Sequence, residues 1–338
     1  MAPEFTDDDL TVNLDDEFQE DWDEEFVREH GKEKKPHGQM KLLWSNLLGL
    51  TLVEEDMQSH GDGKHIQLVV AGASPGTHMP LLLEHLRSWR ESRGLQICFY
   101  DPKPLDPKLQ EMCNTAHNMK FEPRCFTDAD AQFWRDKTQK ADKCLVFFSD
   151  IRSDIHGKHE HMRADEAKIA ADMHAQKRWV EIMRPDYCML KFHAPHATPD
   201  QRHVSASLQY LHGPLYEQAF VGLFSAEFRQ FCRKPAEAML ERGPARYDTK
   251  AIERHAMWHT RRRRPQTFSV HGVHVPYDEA FAGHVAHKAQ DLGLISDAHT
   301  LLHEARGSIG HVAHMHFPWP TAQSSRLQAL HVRMLQIL

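Results

Sequence analysis

Four short apolar runs dominate the hydropathy pattern: HIQLVVA at 65–71, LQICFY at 95–100, KCLVFFS at 143–149 and DYCMLKF at 186–192. Each is too short for a helix and is bounded by charged or turn-forming residues, so each predicts a buried strand. Between them apolar residues recur at three- and four-residue intervals, predicting helices at 78–91, around 128–138 and around 163–183. A weaker strand is expected near 121–126, in FEPRCF, and GQMKLLWSNLLGLTLV from 38 reads as an amphipathic or buried helix. Strands separated by helices imply a parallel sheet with crossovers. YEQAFVGLF and AEFRQFCR follow, and beyond 240 the chain reads as helices, such as AIERHAMWHT and SSRLQALHVRMLQIL, joined by loops.

In an open parallel sheet a ligand sits beyond the C-terminal ends of the strands. The residues there are GASPG at 72–76, DPK at 101–103, DIRS at 150–153 and KFHAP at 191–195. Gly72 and Gly76 are four apart, with neither the dinucleotide spacing nor the Lys-Ser/Thr of a phosphate loop, which disfavours a nicotinamide oxidoreductase. Asp101, at the end of the second strand, is placed to accept two ribose hydroxyls. Glycines allow close backbone approach, and nothing nearby calls for a pyrophosphate. S-adenosylmethionine, an adenosine with a short amino-acid tail, fits this pattern. Asp150 and Lys191 each end an apolar strand and point their charges into one cleft. A lysine desolvated there is a candidate base; the alternative is a lysine that snorkels beside an aspartate.

Composition changes the picture in one respect. Hydrophobic and charged contents of 41% and 26% are those of an ordinary globule. No apolar run reaches the length of a membrane span and no signal peptide opens the chain, so no membrane partner is expected. The six cysteines are scattered, which predicts a reducing compartment without disulfides or a zinc cluster. The net charge of −7, however, conceals an asymmetry: residues 1–30 carry thirteen acids against Arg28 alone, leaving a mildly basic body. RRRR at 261–264 either tracks a phosphate backbone or is a solvated run. The segment 1–35 is either an ordered acidic arm, with Leu14, Phe18, Trp22 and Phe26 on one face, or a disordered tail. The histidines of HGKHEH (156–161) and HVAHMH (311–316) lack the cysteine partners or helical HExxH that a metal would want, so no metal is expected.

The motifs GQMKLLWSNLLGL, GASPGTH, YDPKPLDP, SDIRSD, LKFHAP, FSAEFRQF and FPWPTAQSSRLQALHVRMLQIL occur in this order along the chain. In them the sequence resembles the poxvirus cap-specific mRNA (nucleoside-2′-O)-methyltransferases, which double as the small processivity subunit of the viral poly(A) polymerase. The likeness runs from about residue 20 to the C-terminus and is weakest at 265–315. It implies an α/β, Rossmann-like S-adenosylmethionine-dependent methyltransferase fold, with a mostly parallel central sheet flanked by helices. The organisation implied is an acidic arm, 1–35, and a single methyltransferase domain, 36–338, with a helical C-terminal elaboration. The resemblance implies methyl transfer to the ribose 2′-hydroxyl of the first transcribed nucleotide of m7G-capped mRNA. The alternative is an RNA-binding subunit of a poly(A) polymerase, with or without that activity. Matched residue by residue, the family's catalytic tetrad falls on Lys41, Asp150, Lys191 and Glu227. Its methyl donor falls against Gln39, Gly72, Ser74, Gly76, Asp101, Lys103, Asp150 and Arg152. Its cap pocket falls on Trp22, His196, Phe224 and Asp248. Lys103 stands in place of an arginine and His196 in place of a phenylalanine. The partners implied are capped mRNA and a viral polymerase catalytic subunit, in the host cytoplasm or packaged in the virion.

Overall fold

A computed structural model describes residues 2–14, 37–141, 143–152, 166–193, 207–222, 225 and 227–309. Helix α1 (Gly38–Ser59) leads into β1 (Ile66–Ala71), followed by α2 (Met79–His85), α3 (Arg87–Ser92) and β2 (Gln96–Tyr100). Then come α4 (Pro107–Thr115), β3 (Met119–Glu122), α5 (Asp128–Ala141), β4 (Cys144–Ser149), α6 (Glu166–Met183) and β5 (Tyr187–His193). The sheet closes with β7 (Leu215–Tyr216) and β8 (Glu227–Arg233), in the order β3-β2-β1-β4-β5-β8-β7. The first five of these strands are parallel; β8 runs antiparallel to β5, and β7 to β8. The parallel sheet with crossovers expected from the apolar runs forms, and the chain adopts the mostly parallel, helix-flanked, Rossmann-like architecture that the resemblance implies.

The runs work as strands because both faces are covered. Side chains alternate across a sheet, and the alternation sorts each strand between two cores. Ile66, Leu68 and Val70 of β1 join Ile97, Phe99, Val146 and Phe148 in the core that includes α1. Val69 and Ala71 join Cys98, Tyr100, Leu145 and Phe147 in the core that includes Trp134 of α5 and Trp179 of α6. Each buried Leu or Phe stabilises the fold by roughly 1.5–3 kcal/mol relative to exposure. Gly49 lets α1 lie close to β4: a Cβ there would stand 2.7 Å from the Phe148 ring.

The structure departs from the sequence-based expectation in three places. The helix expected over 78–91 is interrupted at Leu86, which stays fully buried between α2 and α3. The third strand lies at Met119–Glu122, because Pro123 has no N–H for the ladder, and Phe126 turns instead into the aromatic core against Tyr100 and Trp179. Beyond 240 the chain holds strands as well as helices. β6 (Ser207–Tyr210) pairs with β9 (Ala245–Asp248), and after α7 (Pro235–Arg242) and α8 (Thr249–Trp258) a hairpin forms from β10 (Thr267–Val270) and β11 (Val273–Pro276). His271 and Gly272 at its tip both have positive φ, 48° and 77°, the two-residue turn whose twist suits a hairpin. Helices α9 (Tyr277–Asp291) and α10 (Ala298–Ile309) complete the α1 side. The terminal SSRLQALHVRMLQIL and both histidine-rich motifs lie outside the described residues.

Residues 2–14 are part of the body. Phe5 and Leu10 are buried, and the Phe5 ring meets Phe268 and Tyr277 edge-on at 5.2 and 5.6 Å. The Val12 N–H donates to Leu215 O, so this segment covers β7 at the sheet edge. Within RRRR, Arg263 pairs with Asp9 and lies over the Phe268 ring, and Arg264 pairs with buried Asp278.

Candidate active site

Extending the α1-side alternation beyond the strand ends builds the site. After Val70 of β1 that face continues to Gly72; after Phe148 of β4, to Asp150; after Met189 of β5, to Lys191. On β8, running the other way, Phe231 is followed on the same face by Arg229 and Glu227. The register places Lys191 beside Arg229. The first turn of α1 lies over this face and contributes Lys41, which pairs with Glu227 Oε1 across 186 residues of sequence. The four residues of the expected tetrad are therefore brought together.

Lys191 Nζ is 3.3 Å from both Asp150 Oδ1 and Glu227 Oε2. Arg229 donates to Asp150 Oδ1 at 2.7 Å and to Gln218 Oε1 at 2.8 Å, and Gln218 Nε2 donates to the Glu227 carbonyl at 2.7 Å. Arg152 reaches Glu227 Oε2 from the exposed side. Two carboxylates thus stand among four cations. Burial pushes Asp150 upward in pKa, but Lys191, Arg229 and Lys41 together hold it below the usual carboxylate range. Glu227 is likewise penalised by burial and pulled well down by Lys41, Lys191, Arg229 and Arg152. Burial lowers the Lys41 pKa, with Arg229 and Lys191 adding to the effect and Glu227 and Asp150 opposing it. An electropositive, largely desolvated floor of this kind favours charge rearrangement over hydration.

Beside the cluster opens a cavity of about 810 Å³, whose walls include Lys41, Asp150 and Lys191. Of the residues expected against the methyl donor, Gln39, Gly72, Ser74, Asp101, Lys103, Asp150 and Arg152 line it. Gly72 has φ +81°, and a Cβ would stand 2.7 Å from the Asp150 carbonyl carbon, so the close passage of the β1 and β4 ends requires glycine. Asp101 is buried, accepting the Ser74 N–H at 3.0 Å and the Lys103 N–H at 2.8 Å. Those bonds fix the carboxylate, and each oxygen keeps acceptor capacity. Gly76 is not on the wall; with φ +66° it shapes the turn, where a Cβ would stand 2.7 Å from Ala73 O.

Asp248, exposed, caps α8 by accepting the Lys250 and Ala251 N–H groups. Trp22, His196 and Phe224 lie outside the described residues. Sequence reasoning missed Arg229 and Gln218, which tie the tetrad together, and the aromatic wall of Tyr100, Phe126 and Trp179. For Arg229 the available signal was its i+2 spacing from Glu227 in a strand. No helix among the described residues is long and apolar enough to cross a membrane. No three His, Cys, Asp or Glu side chains among them are arranged to share a metal ion.

Comparison with known proteins gives the family. A sequence profile described as "Poly A polymerase regulatory subunit" matches residues 9–271. Two Myxoma virus proteins, from strains Lausanne and Uriarra, carry the name "Cap-specific mRNA (nucleoside-2'-O-)-methyltransferase". Each is 29% identical over 219 residues, 64% of this chain and 57% of its own. The chain therefore spans little more than half the length of these relatives. A solved structure entitled "The structure of bluetongue virus VP4 reveals a multifunctional RNA- capping production-line" aligns at a TM-score of 0.43 and 13% identity, over 64% of this chain and 30% of that one. With the profile covering most of its length, the chain belongs to the poly(A) polymerase regulatory subunit family.

Proposed function

We propose that the chain transfers a methyl group from S-adenosylmethionine to the ribose 2′-hydroxyl of the first transcribed nucleotide of m7G-capped RNA. The observation that carries this reading is the Lys41–Asp150–Lys191–Glu227 cluster on the wall of a cavity large enough for a nucleoside ligand. The residues present suit the methyl donor: a glycine that lets backbone approach at 72, a fixed carboxylate at Asp101 for ribose hydroxyls, and the Gln39 carboxamide for the amino-acid tail. Bound there, the donor supplies a methyl group on a sulfonium. Lys191 Nζ, oriented by two carboxylates, would meet the 2′-hydroxyl and take the proton that the oxygen gives up on accepting the methyl group. Asp150 and Glu227 hold the two amines, and Arg229 fixes Asp150. Trp22, His196 and Phe224 would stack the positively charged methylguanine, with Asp248 reading its edge. The test is incorporation of labelled methyl into m7G-capped RNA. Incorporation is expected, and it should vanish when the first nucleotide already carries a 2′-O-methyl group.

A second reading, an RNA-binding processivity subunit of a poly(A) polymerase, is supported by the family's description. The two roles are compatible. Pull-down of a co-expressed polymerase catalytic subunit tests the second directly.

A further inference from the structure

Behind Gln39 runs a chain of hydrogen bonds whose direction is set by a sulfur atom. Asn46 Nδ2 lies 3.6 Å from Met79 Sδ and 2.9 Å from His78 Nε2. A thioether sulfur only accepts, so the amide nitrogen faces Met79, and its second hydrogen goes to His78 Nε2. Nε2 is therefore the acceptor nitrogen and Nδ1 carries the proton. Nδ1 lies 2.9 Å from Gln39 Oε1, to which Thr77 Oγ1 also donates at 3.0 Å. Gln39 lines the cavity, and with its oxygen so engaged only its N–H₂ group is left to donate, with no acceptor for it among the described residues. His78 is buried, and burial pushes its pKa down to about 3, so the ring is neutral as this pattern requires.

We infer that Asn46 and His78 are positioning residues: they lock the Gln39 carboxamide with its N–H₂ toward the cavity, where it donates to the carboxylate of an amino-acid-tailed nucleoside. The inference rests on the methyl-donor reading. The lock is a tautomer lock, because a proton on Nε2 instead of Nδ1 would invite the carboxamide to turn its oxygen to the ligand. Ligand discrimination follows from the lock, since an acceptor tail gains what a tail-less nucleoside does not.

The test is equilibrium binding of two probes, S-adenosylhomocysteine, which has the tail, and 5′-methylthioadenosine, which lacks it. His78→Leu is expected to weaken S-adenosylhomocysteine about tenfold, the scale of a hydrogen bond to a charged group, while leaving 5′-methylthioadenosine unchanged. His78→Asn places an amide N–H near the position of Nδ1 and should restore binding. Asn46→Asp puts an acceptor against Nε2, so Nδ1 donates only while the ring is an imidazolium. The affinity of that variant for S-adenosylhomocysteine should fall as pH rises through the ring's titration, which the wild type does not show. Asp150 and Arg229, the charged groups His78 feels in the wild type, are kept in that variant, and the one charge added is the new carboxylate against Nε2. Equal loss of both probes in His78→Leu, no loss in either, or an Asn46→Asp profile matching the wild type overturns the inference. A wild type that binds neither probe overturns the methyl-donor reading and this inference with it.

Discussion

Replacing Lys191 by alanine removes the amine that Asp150 and Glu227 hold at 3.3 Å. Methyl transfer is then expected to fall at least about a hundredfold, with donor affinity almost unchanged, because the group acts on the acceptor hydroxyl. Lys191→Arg should fail equally, since a guanidinium keeps its proton at working pH. Single-turnover rates with parallel donor titrations check both; retained transfer in Lys191→Arg would remove the base from the scheme. A second residue-scale prediction concerns His259. Burial, against an opposing pull from Glu217, lowers its pKa from 6.5 to about 4. The unfolded chain therefore binds this proton between those values while the folded chain does not, so stability is full above pH 6.5 and declines as pH falls toward 4. The contribution is on the order of 3 kcal/mol. Denaturant midpoints measured from pH 7 to 5 should drop, and His259→Gln should flatten the slope; an unchanged slope would contradict the assignment.

Elements show how far the chain explains itself. β1 and β4 are legible because every position is buried, and such runs have few other interpretations. Asp150 is legible for the same reason, as the charge just after β4, and Lys191 as the lone charge in the apolar run of β5. Lys41 and Glu227 are not legible from local pattern. Their meeting is tertiary, and only the family resemblance pointed to them. Arg229 reads as one polar residue of an edge-like strand until β8 is seen beside β5, and the β10–β11 hairpin hides because its turn is His-Gly rather than Asn-Gly. The N-terminal segment is the clearest lesson, since its acids suggest solvent while Phe5 and Leu10 are core. Deleting residues 2–14 exposes Phe268, Tyr277 and the β7 edge, takes Asp9 from Arg263 and leaves Lys288 paired with Glu55 without Asp7. Thermal denaturation should show a loss of several degrees or aggregation; an unaltered melting temperature would show the segment to be dispensable.

At the scale of the molecule, the parallel strands end where the antiparallel β8 delivers Glu227 and Arg229, and α1 closes the arrangement with Gln39 and Lys41. A cavity large enough for a nucleoside and a paired lysine–carboxylate floor thus meet at the C-terminal ends of the parallel strands. Purified protein is incubated with S-adenosylmethionine and m7G-capped RNA, the RNA is digested to its cap dinucleotide, and the site of any added methyl group is determined by mass spectrometry. A single methyl group on the ribose of the first transcribed nucleotide, absent with Lys191→Ala, is the predicted result. No transfer under conditions where S-adenosylhomocysteine binds, or a methyl group placed on a base, would contradict it.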